Sequence, residues 1–77
     1  MEINEFIINF ADQFDDTPIE SLTPETVFHE LDEYSSIIAL SIIAMVDEEY
    51  GVALTGNEMK AAITIQDLFN TVEAKLA

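Results

Sequence analysis

Ile65, Leu68, Phe69, Val72 and Leu76 recur three, four, seven and eleven positions after the first of them. That spacing traces one face of an α-helix and fits no strand. Ile3, Phe6, Ile7, Phe10 and Phe14 draw a second stripe near the other end, with Glu2, Glu5, Asn9 and Asp12 off it. Asp15-Asp16-Thr17-Pro18 is expected to end this first helix, because carboxylates oppose the dipole at a helix C-terminus and Pro18 restricts Thr17. The last helix is expected to open at Thr64, with Asp67 three residues on as a variant capping box. Lys75, near its end, suits the dipole.

Between these stripes lies a segment that is apolar nearly all round. A helix is expected from Ser35-Ser36 to Tyr50, with serine as a favoured N-cap and Gly51 where a left-handed C-terminal residue belongs. Leu40, Ile43, Val46 and Tyr50 are read as its core face. Ile37, Ile38, Ile42 and Met45 spread apolar surface around the rest, as in a helix that is central or offers a face to a partner. From Asp16 to Tyr34 runs a long connection, with Ile19, Leu22, Val27, Phe28 and Leu31 as apolar anchors and Thr23-Pro24-Glu25-Thr26 read as a cap and a proline-started helical turn. Residues 52–57 are read as an extended link, and Glu58 to Ala62 as one or two helical turns. The expected fold is all-α: one domain over residues 1–77, an irregular four-helix bundle with three main helices and one short one.

Composition narrows function. Seventy-seven residues bury only roughly 60–65% of the surface their unfolded chain exposes, so the core must be efficient, and 49% hydrophobic residues allow that. There is no cysteine for a disulfide or a thiolate metal site. Sixteen Asp and Glu face two Lys and no Arg, a net charge of −14. Nucleic acid is excluded as a partner, since phosphate binding needs clustered cations. Basic protein surfaces are favoured instead. The acidic N-terminus and the absence of a long apolar run give no signal peptide or membrane span, so a cytoplasmic protein is the expectation.

Catalytic sets fall short. His29 is alone, without a cysteine or a second histidine, and is read as a loop residue near the core. The carboxylates follow no calcium-loop pattern, no glycine-rich phosphate loop exists, and no metal site is assigned. The chain is not expected to be an enzyme. That leaves Ser35-Ser36, where the long connection meets the apolar helix. One of them is read as an N-cap. A helix N-terminus also favours a phosphate, through unpaired N–H groups and the macrodipole.

The segment Glu30-Leu31-Asp32-Glu33-Tyr34-Ser35-Ser36-Ile37 resembles the acyl carrier protein family's pattern of Leu, a short acidic or glycine turn, then Asp-Ser-Leu. Leu40, Ile43, Val46, Asp47-Glu48-Glu49-Tyr50 and Gly51-Val52 are similar to the family's second helix. Leu54, the turn around Glu58, and Thr64-Ile65-Gln66-Asp67-Leu68 are similar to its third and fourth helices. The resemblance covers nearly the whole chain and implies a strongly acidic four-helix bundle. It further implies that Ser36 carries 4′-phosphopantetheine, donated from coenzyme A, and presents acyl groups as thioesters in fatty acid, polyketide or related biosynthesis. The partners implied are a phosphopantetheinyl transferase and acyl-transferring or synthase enzymes with basic surfaces, and a monomer is expected.

Two departures stand out. Ser35 occupies the place of the family's aspartate, and Ile37 that of its leucine. Two positions that are commonly acidic on the exposed face are Ile38 and Ser41 here. The expected partner-binding set is Ser35, Ile37, Ile38, Ser41, Ala44, Asp47 and Glu48, greasier than in a typical fatty-acid carrier, with Ile37, Ile38 and Ala44 exposed. The resemblance also implies an acyl chain between the second and third helices. Phe28, Val46, Leu54, Met59 and Ala62 would line that space, although Met59 is read rather as ordinary core filling. Two alternatives stay open: an unmodified adaptor of the same fold, and an acidic inhibitor or nucleic-acid mimic.

Overall fold

The computed structural model describes residues 2–76. Four α-helices come in order: α1 (Ile3–Ala11), α2 (Ser36–Tyr50), α3 (Gly56–Ala61) and α4 (Ile65–Leu76). Two short 3-10 turns, Ile19–Ser21 and Phe28–Glu30, punctuate the long connection before α2. Among the described residues there is no strand, only an isolated antiparallel bridge between Val27 and Thr64. The fold is the all-α arrangement that the stripes imply, and none of its described helices is long and apolar enough to cross a membrane.

One core joins the four helices. Phe6 and Phe10 of α1, Phe28 of the connection, Ile42 and Val46 of α2, and Ile65, Leu68 and Val72 of α4 are fully buried. Phe6 meets Phe69 edge-on at 5.6 Å between ring centroids, and Phe10 meets Phe28 the same way at 5.6 Å. Such geometry sets the positive ring edge against the negative face and adds about 0.5–1.5 kcal/mol per pair to simple burial. Asn9 Nδ2 donates to the Tyr50 hydroxyl at 2.9 Å and ties α1 to the end of α2. No side chain of a polar or charged residue is buried among the described residues.

Helix ends obey local chemistry closely. Gly51 takes φ +66° after α2, the left-handed conformation in which a side chain would be strained. Thr64 Oγ1 accepts from Asp67 N at 3.1 Å, and Asp67 Oδ2 accepts from Thr64 N at 3.1 Å. The N–H groups of Thr64 and Ile63 hold the Asp67 carboxyl below its ordinary value. The first N–H groups of α4 reach outside the helix: Ile65 N donates to Thr26 O at 3.1 Å and Gln66 N to Pro24 O at 2.9 Å. Donors that a helix leaves unpaired thus pin the long connection across the bundle.

The structure corrects several boundaries. α1 ends at Ala11, ahead of the Asp15-Asp16-Thr17-Pro18 stop. Gln13 and Phe14 bond three residues back, to Phe10 and Ala11, which tightens the last turn and keeps Phe14 buried. The N–H groups of Asp15, Asp16 and Thr17 then go to the Glu33 carboxylate, so the helix cannot continue. Thr23–Thr26 is a closed turn, with Thr26 N donating to Thr23 O, and starts no α-helix. α3 begins at Gly56 because Thr55 and Glu58 form a reciprocal capping box, so residues 52–57 are not all extended.

The core face of α2 also differs. Ile42, Met45 and Val46 are buried, Ile43 and Tyr50 are half-buried, and Leu40 is 66% exposed. A helix apolar on most sides carries little information about its own rotation, so packing against α1 and the shared core sets it. Leu76, at the end of the α4 stripe, is 47% exposed, beyond the reach of the core.

Candidate functional site

The two serines have different surroundings. Ser35 is the N-cap of α2, in extended conformation, and its Oγ accepts from Ile38 N at 3.3 Å. Ser36 is the first helical residue, exposed, and its Oγ has no hydrogen-bond partner among the described residues. One hydroxyl is engaged by the helix it starts, and the next is free. An exposed serine oxygen at a helix N-terminus suits a phosphodiester, whose charge the helix end favours.

Three residues, Glu33, Tyr34 and His29, hold the chain just ahead of these serines. Glu33 accepts from Asp15 N at 2.6 Å, from Asp16 N and Thr17 N at 3.0 Å each, and from Thr17 Oγ1 at 2.8 Å. Partial desolvation pushes its carboxyl up, but these donors together outweigh that and leave it below its ordinary value. Tyr34 sets its ring edge-on to Phe28 at 5.5 Å and to His29 at 5.1 Å, and burial pushes its phenol up. His29 stacks on Phe28, with ring centroids 4.4 Å apart. Its Nε2 lies 3.0 Å from Met59 O and 2.9 Å from Ala62 O. Carbonyl oxygens only accept, so Nε2 carries the proton. Ordinarily a helix leaves its last carbonyls unpaired, and here an imidazole from a distant turn covers the end of α3.

Ser36 opens onto a groove of about 440 Å³ between the start of α2 and α3. His29 and Tyr34 line one end of it. Ser36, Ala39, Leu40 and Ile43 form the α2 wall, and Gly56, Met59 and Lys60 the α3 wall. Most of this lining is hydrocarbon, so the groove suits an apolar chain rather than a polar metabolite. Among the described residues no group of three or more His, Asp or Glu side chains is placed to hold a metal ion.

A family model described as a phosphopantetheine attachment site matches residues 6–72. The chain belongs to that family. This carrier domain is therefore one whose fold receives a covalent 4′-phosphopantetheine, and its membership implies dealings with transferases and synthases. Neither the curated proteins nor the solved structures give a match. The residues present fit the prosthetic group: a free serine hydroxyl stands at a helix N-terminus beside an open apolar groove.

Other expected site residues are placed less uniformly. Ile37 is 74% exposed, and Ala44, Asp47 and Glu48 are also exposed on α2. Ser41 is half-buried, and so is Ile38, which packs against the core instead of facing outward. The expected set omits one residue of this face: Leu40, three positions after Ile37 on the same side. Its exposure is explained once Ile42, Met45 and Val46 are known to point inward.

The expected acyl-chain residues lie deeper than the open groove. Phe28 and Val46 are fully buried, and Leu54, Met59 and Ala62 are nearly so. They form closed core, and of the five only Met59 reaches the groove. The open space is lined instead by Ser36 and other residues of α2, by α3, and by His29 and Tyr34.

Proposed function

We propose that the carrier domain bears its 4′-phosphopantetheine on Ser36 and delivers acyl groups to dedicated enzymes of fatty acid, polyketide or related biosynthesis, with no catalysis of its own. The observation that carries this reading is the division between the two serines, Ser35 bonded as the cap and Ser36 free in the lining of the groove. When bound, the group supplies a terminal thiol that holds the acyl chain as a thioester. The protein's own residues supply the rest. Ser36 gives the attachment oxygen, and the α2 N-terminus favours the phosphodiester charge. Ala39, Leu40, Ile43 and Met59 offer hydrocarbon against which a short acyl chain lies out of water.

The outer face of α2 is the surface for docking. Ile37, Leu40 and Ala44 present apolar area, and Asp47 and Glu48 add charge further along the helix. A phosphopantetheinyl transferase or synthase with an apolar hollow edged by lysine or arginine complements that pattern. Because the apolar part is large, such docking resists salt better than a purely ionic contact does.

Intact mass after incubation with coenzyme A and a panel of transferases tests the reading. A gain of one phosphopantetheine that survives in Ser35→Ala and disappears in Ser36→Ala supports it. A gain that tracks Ser35 overturns the residue assignment. No gain with any transferase favours the unmodified adaptor, for which the serine in place of the family's aspartate is the supporting feature.

A further inference from the structure

Lys60 stands out in a chain of net charge −14 because it has no ionic partner among the described residues. The other lysine is engaged: Lys75 Nζ lies 2.7 Å from Glu58 Oε1 and 2.9 Å from Ala53 O. Lys60 instead lines the same groove as Ser36, from the opposite wall. A lysine in the last turn of a helix is ordinarily explained by the carbonyl ends there. In α3 the carbonyls of Met59 and Ala62 are already covered by the His29 imidazole. Among the described residues no hydrogen bond ties the Lys60 ammonium to that helix end.

The α2 wall presents a matching need. A phosphodiester on Ser36 adds a negative charge to an already strongly acidic domain. Helix N–H groups would share that charge, but the Ile38 N–H is taken by Ser35 Oγ. The N-terminus is thus a weaker anion holder than one whose N–H groups are all open. Across the groove, Lys60 is the one lysine in the lining.

We propose that the Lys60 ammonium pairs with the phosphodiester on Ser36, bridging α3 to α2 across the groove that both line. The inference rests on Ser36 being the attachment residue. The pair turns the base of the arm toward the hydrocarbon lining and away from solvent. An exposed ammonium and a phosphodiester form a weak, salt-screened contact, so the bias toward the seated arm is small, roughly two- to fivefold. A bias of that size steadies the arm and still lets an enzyme draw it out.

The test uses holo protein in three forms: wild type, Lys60→Gln and Lys60→Arg, each verified as modified on Ser36 by intact mass and peptide mapping. The readout is the phosphorus-31 resonance of the phosphodiester between low salt and about 1 M sodium chloride, enough to shrink the screening length to a single contact distance. The expected result is a salt-dependent resonance in wild type and Lys60→Arg, and a displaced, salt-insensitive one in Lys60→Gln. Hydrolysis of a hexanoyl thioester on the arm is expected to quicken about two- to fivefold in Lys60→Gln at low salt. Identical spectra and salt responses in wild type and Lys60→Gln would overturn the pairing and leave the Ser36 assignment intact. Absence of modification at Ser36 in the wild type would overturn both.

Discussion

His29 Nε2 donates to the carbonyl oxygen of Ala62 at 2.9 Å, so a residue of the connection before α2 closes the end of α3. The same nitrogen lies 3.0 Å from Met59 O. These bonds hold the short helix against the turn that leads into Ser36, and they set one end of the groove. His29→Ala is expected to cost about 1–2 kcal/mol, from lost hydrogen bonds to carbonyls and lost stacking on Phe28. Urea denaturation of the two proteins measures the difference, and amide exchange should quicken first in α3.

The helix cap and the attachment oxygen separate by mutation. Ser35→Ala removes the acceptor for Ile38 N and should cost about 1 kcal/mol. Ser35→Asp keeps a capping oxygen and adds negative charge at the N-terminus, so its melting temperature should equal or exceed that of the wild type. Ser36→Ala should melt with the wild type to within about 0.5 kcal/mol, since its hydroxyl bonds to nothing among the described residues. Thermal unfolding of the three variants checks the order.

Glu33 gives acid sensitivity a defined source. Its folded-state carboxyl lies below the ordinary value, so the unfolded chain binds the proton more readily. The stability it contributes is fully present above the unfolded carboxylate pKa. It is lost as the pH falls through the depressed folded value. Glu33→Gln should therefore be less stable than wild type near neutrality, and the gap should narrow on acidification through that window. Denaturation midpoints from neutral pH downward measure it. A gap independent of pH would show that the carboxylate charge is not what the Asp15–Thr17 segment binds.

On α2, Ile37 and Leu40 are exposed apolar residues that the fold itself scarcely uses. Ile37→Ser and Leu40→Ser should change stability by less than about 0.5 kcal/mol. Each should weaken binding to a cognate transferase or synthase by about 1.5 kcal/mol, roughly tenfold, because that much area leaves water at the interface. Titration calorimetry, alongside a melting curve for each variant, checks both halves. Unchanged affinity in both variants would move the docking surface off this face.

Much of this protein was readable in short stretches of sequence. The α4 stripe from Ile65 to Val72, the Thr64–Asp67 pair, Ser35 at the N-cap and Gly51 at the C-terminus of α2 all depend on residues within a turn or two of each other. Thr55 and Glu58 belong with them: their spacing is itself a capping signature, which an extended reading of residues 52–57 passes over. The residues alone left open which of the two serines caps the helix; the structure gives the cap to Ser35 and the first helical position to Ser36. Where interactions span three or four residues, the chain states its own local structure.

Tertiary structure decided the rest. The rotation of α2, with Ile38 half-buried and Leu40 outside, came from neighbouring helices because the segment is apolar almost all round. The course of the chain after α1 required Glu33, eighteen residues beyond Asp15, to take the N–H groups of Asp15, Asp16 and Thr17. His29 reaches a carbonyl thirty-three residues away, which no periodicity encodes. The groove beside Ser36 lies where α2 and α3 meet, whereas the side chains that the resemblance implied for the acyl chain lie in the core. Each residue's local offer of a donor, an acceptor or an apolar face is written in the chain, and only packing determines which distant partner receives it.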